Sequence, residues 1–254
     1  MSHMDPLANI PAHLVDAIRK PRPEAAGVID GTTAVVSFGD PMGAQVATLG
    51  INPSANEFLD RDDAFLPDKK RRLATLASIG ATPESRLSPE QVRAVVEDCV
   101  SYFHRNPYRQ WFDHLDRVLR DGLSVSYYED SACHLDLSPW ATNPKWQHLD
   151  ENARSRLLFE GTELLIAQPS LDHIGVVVVN GRAVWNQLAA IDLVHIEEVG
   201  QLAFGKGAHS SLLVGTGLPA PVIGWTLNVQ RTALTAAERA HLCGWLHDEA
   251  RVRQ

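Results

Sequence analysis

The sequence predicts an α/β fold: a mainly parallel central sheet of about four strands between helices, in three layers α/β/α. Three observations predict it. Segments of strand character alternate with segments of helical periodicity along the whole chain. Val176 to Val179 is an uninterrupted apolar run, as a strand buried on both faces requires. Two helix starts carry capping-box spacing, Ser88-Pro89-Glu90-Gln91 and Thr235-Ala236-Ala237-Glu238.

In chain order, Pro11 suits a first helical turn, and Leu14, Ala17 and Ile18 follow at helical spacing, which predicts a helix over about 11–19. The stretches Thr32 to Phe38 and Gln45 to Ile51 flank the turn Gly39-Asp40-Pro41-Met42-Gly43 and read as a hairpin whose second arm is a buried strand. Lys69-Lys70-Arg71-Arg72 is expected to open a helix, Ser88 a second, and Tyr108 to Arg120 a third. Together they form a helical insert over about 66–121. In Ser131 to Leu137, apolar Cys133, Leu135 and Leu137 alternate with Ala132, His134 and Asp136, so one face of that strand presents His134 and Asp136. Asp150 is expected to cap a helix running to about Gln168, and Gly181-Arg182 to begin another after the valine strand. Short β segments near Val194–Val199 and Ser211–Val214 precede a last strand, Val222–Trp225, and a last helix. The reading is one domain over 5–254, with Met1-Ser2-His3-Met4 a cloning remnant.

The 254 residues carry 23 Lys+Arg against 31 Asp+Glu, a formal charge of −8. An acidic chain is not drawn to polyanions by its global field, so contact with nucleic acid requires a local basic patch. With 44% hydrophobic and 21% charged residues, disorder, collagen and coiled coil are excluded. Neither a membrane-spanning run nor a signal-peptide pattern is present, so a soluble cytoplasmic protein is expected. Cys99, Cys133 and Cys243 are scattered, which rules out a disulfide framework or a zinc ribbon.

Ligands of such sheets bind at the carboxyl ends of the strands, which directs attention to the residues after Ile51, Leu137, Val179 and Trp225. After Ile51 stands Gly50-Ile51-Asn52-Pro53-Ser54. Asn before Pro is a turn former, because the residue preceding proline is pushed out of helical geometry. GINPS following the strand Val46–Leu49 also resembles the first motif of the uracil-DNA glycosylase superfamily, in its mismatch-specific and single-strand-selective branches, where the pattern is G-[IM]-N-P-G. The order of elements over about 40–250 is similar too. Ser54 replaces the second glycine, which in the family allows the backbone close to a phosphate or base.

The resemblance implies roles. Asn52 would position the attacking water or stabilise the deoxyribose cation. Phe58 would stack on a flipped base, with the backbone around Ser54 near its 5-position. The second family motif corresponds to Thr226-Leu227-Asn228-Val229-Gln230-Arg231, which lacks the family's histidine. There Leu227 would be a minor-groove wedge, Asn228 and Gln230 groove or phosphate contacts, and Arg231 a phosphate clamp. The alternative is a plain turn with Trp225 and Val229 in the core; His209, before the last strand, is a second candidate for the missing group. The family's inner strand commonly presents an Asn that reads uracil, and Asp136 stands at or near that place. An ionised carboxylate only accepts hydrogen bonds, so it would oppose O4 of uracil and suit the amino group of a cytosine-type base. Alternatively, Asp136 bonds Thr142, caps the turn at Ser138-Pro139, or is protonated in an apolar pocket.

Competing chemistries find no support in the sequence: G-x-S-x-G, GxGxxG, Walker A and His-Glu-x-x-His are all missing, and Lys206 lacks the required glycine frame. His134 and Asp136 lack a third metal ligand, and Asp60, Asp62 and Asp63 lack the glycine and glutamate of a calcium loop. The aromatic and basic cluster Tyr102-Phe103 with Asn106 to Phe112 is either a packed helix junction or a stacking surface for bases. The expected function is hydrolysis of the N-glycosidic bond of a flipped, damaged or modified base in single- or double-stranded DNA, without metal or redox cofactor. A catalytically degenerate nucleic-acid or nucleotide binder of the same fold, or a nucleoside-level hydrolase, is the alternative. The sequence leaves the oligomeric state open.

Overall fold

The computed structural model describes residues 6–24, 26–170, 173–205 and 207–253. The tetrapeptide read as a cloning remnant, and Lys206, lie outside them. Among the described residues, six α-helices and six strands follow in the order α1 (Ala12–Arg19), β1 (Val46–Gly50), α2 (Pro89–Val100), α3 (Arg109–Leu123), β2 (Ala132–Asp136), α4 (Glu151–Ala167), β3 (Val176–Asn180), α5 (Arg182–Ala190), β4 (His195–Phe204), β5 (Ala208–Thr216), β6 (Val222–Trp225) and α6 (Ala236–Arg253). The fold is α/β. The strands form one sheet in the order β2-β1-β3-β6-β5-β4, parallel where β3 meets β1 and β6, antiparallel where β5 meets β6 and β4. The four expected strands are β1, β2, β3 and β6. The two short segments are longer than expected, because β4 and β5 extend each other as an antiparallel pair.

The chain divides into two compact units, Met1–Gly39 with Asn52–Pro107 and Asp136–Ala167, and Asp40–Ile51 with Tyr108–Leu135 and Gln168–Gln254. In the first, the buried face of α1 (Leu14, Val15, Ala17, Ile18) is tied near its end by Lys20 Nζ to Glu163 of α4 at 2.7 Å. Trp140, Leu149, Ala153 and Leu157 pack with Ala26 and Ala34 as a core cluster. The Ser88 capping box forms, with the Ser88 side chain accepting from Gln91 N and the Gln91 side chain from Ser88 N. Asp150 Oδ1 accepts from Ala153 N at the start of α4. In the second unit, Val176–Val179 is wholly buried between β1 and β6, and Thr235 Oγ1 accepts from Glu238 N at the start of α6.

Two expectations are corrected. Thr32–Phe38 is no hairpin arm: both edges of β1 are taken by β2 and β3, and the buried extended stretch meets loops instead. Val35 N donates to Pro139 O, and Thr33 Oγ1 to Ala74 O. Nor does Lys69-Lys70-Arg71-Arg72 open an α-helix. A single 3-10 turn, Asp68–Lys70, ends at Arg71 with φ −58° and ψ 133°. The arginine side chains leave in different directions, Arg71 to Asp98 and Arg72 to Glu57 and the Asn56 carbonyl.

Candidate active site

Asn52 follows β1 by two residues, where Pro53 forces its backbone out of helical geometry. Its Nδ2 donates to Pro53 O at 3.1 Å, Trp140 O at 3.2 Å and Thr142 Oγ1 at 3.2 Å. Trp140 and Thr142 are buried, so the half-buried amide hangs from a rigid mount. Among the described residues no donor reaches its Oδ1. A carboxamide held by its nitrogen presents its oxygen as an acceptor only. Ser54 is exposed, with ordinary extended angles of φ −70° and ψ 146° that demand no glycine, and its hydroxyl accepts from Asn56 N at 3.2 Å. Phe58, four residues past Ser54, is buried.

The 3-10 turn Ala55–Glu57 carries a group that the sequence reading missed. Glu57 is 3% exposed; Tyr102 Oη donates to its Oε2 at 2.7 Å, and Arg72 Nη1 stands 3.7 Å from the same oxygen. Burial pushes its carboxyl from the usual 4.5 up to about 7, against the opposing pull of the Tyr102 hydroxyl and the Arg72 charge. The negative charge of half-buried Asp136 adds to the rise. Asn52, Glu57, Asp136 and Thr142 thus belong to one unit, with Asp136 close enough to Glu57 to be felt electrostatically. The sequence signal for Glu57 was slight: a carboxylate set directly before the apolar pair Phe58-Leu59.

No model of a known protein family matches the chain, and no curated protein matches it either.

His134, His209 and the segment Thr226–Arg231 lie in the second unit. His134 is 6% exposed, its Nδ1 2.8 Å from Thr48 Oγ1, which also meets Tyr127 Oη at 2.6 Å. Its ring packs edge-on against Phe112 at 5.3 Å. This is a buried polar network inside a sheet-and-helix core. In the segment Thr226–Arg231, Leu227 is buried, so the wedge expected of it is corrected: Ser210 Oγ accepts from Leu227 N at 2.9 Å and holds it inward. Asn180, the residue directly after Val179, is the organiser. Its Oδ1 accepts from Trp225 Nε1 at 2.8 Å and Val229 N at 3.0 Å, and its Nδ2 donates to Gln230 Oε1 at 3.0 Å. Asn228 Oδ1 accepts from Gln230 N, and Ser211 N donates to Thr226 Oγ1, so these groups fasten the segment itself. Arg231 is exposed, its guanidinium 5.9 Å from the Trp111 ring centre. His209 lies exposed on β5. Asp60 Oδ1 accepts from Asp62 N and Ala64 N, an ordinary loop turn. In the aromatic and basic cluster, Tyr102 and Phe103 of the first unit and Phe112 of the second are buried, whereas Tyr108 and Trp111 are half-buried. Among the described residues no group of three or more His, Cys, Asp or Glu side chains is placed to hold a metal ion.

Proposed function

We propose that this chain is a DNA glycosylase-like hydrolase that cleaves the N-glycosidic bond of a flipped, damaged or modified base, in a three-layer fold of the uracil-DNA glycosylase type. The observation that carries the reading is the mount of Asn52: its amide nitrogen tied to Trp140 O and Thr142 Oγ1, its oxygen without a donor among the described residues. Such an oxygen accepts a hydrogen bond from a water and fixes it for attack on C1′ of the sugar. The bond from C1′ to the base nitrogen breaks with its electron pair going to the base, and the proton lost by the attacking water ends on that base, which leaves neutral. Asn52 is neutral, so it orients the water and does not take that proton. Glu57, five residues on in the same unit and titrating near neutral pH, suits proton traffic.

Asp136 supports a preference for an amino-bearing base over uracil, because an ionised carboxylate accepts and does not donate. The test is a panel of oligonucleotides, each with one modified base, scored for abasic sites. Excision should favour cytosine-type bases, and Asp136→Asn should shift the preference toward uracil. Asn52→Ala should keep the fold and lose at least about a hundredfold in rate, as removal of one preorganised polar group does. Full activity in that variant refutes the assignment. The net charge of −8 favours a second reading, hydrolysis at the level of the free nucleoside, which bears no phosphate to repel.

A further inference from the structure

An acidic protein that handles DNA needs a local concentration of positive charge, and the run Lys69-Lys70-Arg71-Arg72 is the densest in the chain. It is also firmly held. Asn106 Nδ2 donates to the carbonyls of Lys69 at 3.2 Å and Arg71 at 3.4 Å, and Arg105 Nη2 to that of Arg72 at 2.6 Å. Arg71 and Arg105 both pair with the single carboxylate of Asp98 on α2, which leaves that cluster positive. Lys69 and Lys70 are exposed, and among the described residues no carboxylate lies within ion-pair distance of either ammonium. Beside the run opens a cleft of about 240 Å³ lined by Leu66, Lys70, Arg72, Asn106 and Pro107. Its lining contains two cations and no acid. It is smaller than the roughly 300 Å³ at which drug-sized pockets begin, and so is scaled to a small group. Arg72 is common to two places, for the same guanidinium that lines the cleft stands 3.7 Å from Glu57 Oε2.

We propose that this cleft is a phosphate-binding site that takes a phosphodiester of the DNA substrate, with Lys70 and Arg72 as its cations, and so seats the strand on the unit that carries Asn52, where Arg72 also reaches Glu57. The identity of the ligand as DNA rests on the function proposed above; the phosphate chemistry rests on the cleft alone. Lys70, a point charge on a flexible stem, is suited to one phosphate oxygen, and Arg72, partly engaged by Glu57 and the Asn56 carbonyl, is pre-positioned at low entropic cost.

The experiment uses the full chain and a fluorescein-labelled single-stranded octathymidylate without any modified base, read by anisotropy at several salt concentrations, with inorganic phosphate as competitor. Lys70→Glu should weaken binding by about fivefold or more and lower the salt slope by about one unit. Lys70→Arg should retain it. Lys145→Glu, the same charge reversal at another exposed position of the same unit, should change it less than about twofold. Inorganic phosphate should compete with the oligonucleotide in the wild type and do so less in Lys70→Glu. Equal losses in Lys70→Glu and Lys145→Glu, or no binding by the wild type at low salt, would overturn the site. Binding localised to Lys70 in a protein that excises no base from the panel upholds the cleft and refutes the catalytic reading, so the two fail separately.

Discussion

Glu57 is a side chain through which pH acts on this fold. Its carboxyl is raised from 4.5 to about 7 by burial, so the folded state keeps a proton that the unfolded chain gives up. Below pH 4.5 both states are protonated and Glu57 imposes no penalty. Between pH 4.5 and about 7 the folded state binds more protons, so stability falls as pH rises; above that range the loss is complete. At about 1.4 kcal/mol per pKa unit, the loss is roughly 3 kcal/mol. Glu57→Gln keeps the shape and an acceptor for the Tyr102 hydroxyl but cannot ionise. Urea midpoints of this variant should be flatter than wild type from pH 5 to 8, and higher at pH 8. Parallel curves for the two proteins would show that another group titrates. Residue chemistry of this kind is hidden from sequence, since a glutamate in a loop reads as solvated until Tyr102 and Arg72, 45 and 15 residues away, are seen to enclose it.

Helix α4 and the chain after β2 approach so closely that Gly161 is required: a Cβ there would stand 1.9 Å from Leu137 O. On helix propensity alone, Gly161→Ala should stabilise the protein by up to about 1 kcal/mol. The contact should reverse the sign, with a net loss of about 1–3 kcal/mol in urea denaturation from backbone displacement. A stabilised variant would show that α4 shifts freely. At this scale the sequence was most legible where signals are local. The caps at Ser88, Asp150 and Thr235, and the four valines of β3, depend on neighbours within a few residues. It was least legible where partners are distant. Thr32–Phe38 has strand-forming residues but finds hydrogen bonds at Ala74 and Pro139, and the Lys69–Arg72 run is unwound by carboxylates at Asp98 and Glu57. For the same reason Asn52 could be picked out from Asn-Pro after a strand, whereas its anchors Trp140 and Thr142 could not.

Over the whole molecule, the charge of −8 and the single dense basic run make opposite demands on a polyanionic ligand, and their balance can be measured. Each phosphate of a single strand neutralised by the protein releases counterions and adds about −0.7 to the slope of log affinity against log salt. Three such contacts weaken binding roughly twentyfold between about 50 and 200 mM salt. The acidic remainder repels the strand most at low salt, where screening is weakest, and so flattens the slope that the contacts alone would give. A DNA substrate should therefore show a clear negative slope that steepens in the upper part of the salt range, once the repulsion is screened. A free nucleoside carries no phosphate, and its affinity should be nearly independent of salt. Measuring the salt dependence of kcat/KM for an oligonucleotide and for the matching nucleoside decides which substrate the site is built for. Turnover of the nucleoside with a flat profile, and none of the oligonucleotide, would assign the Asn52 site to nucleoside hydrolysis.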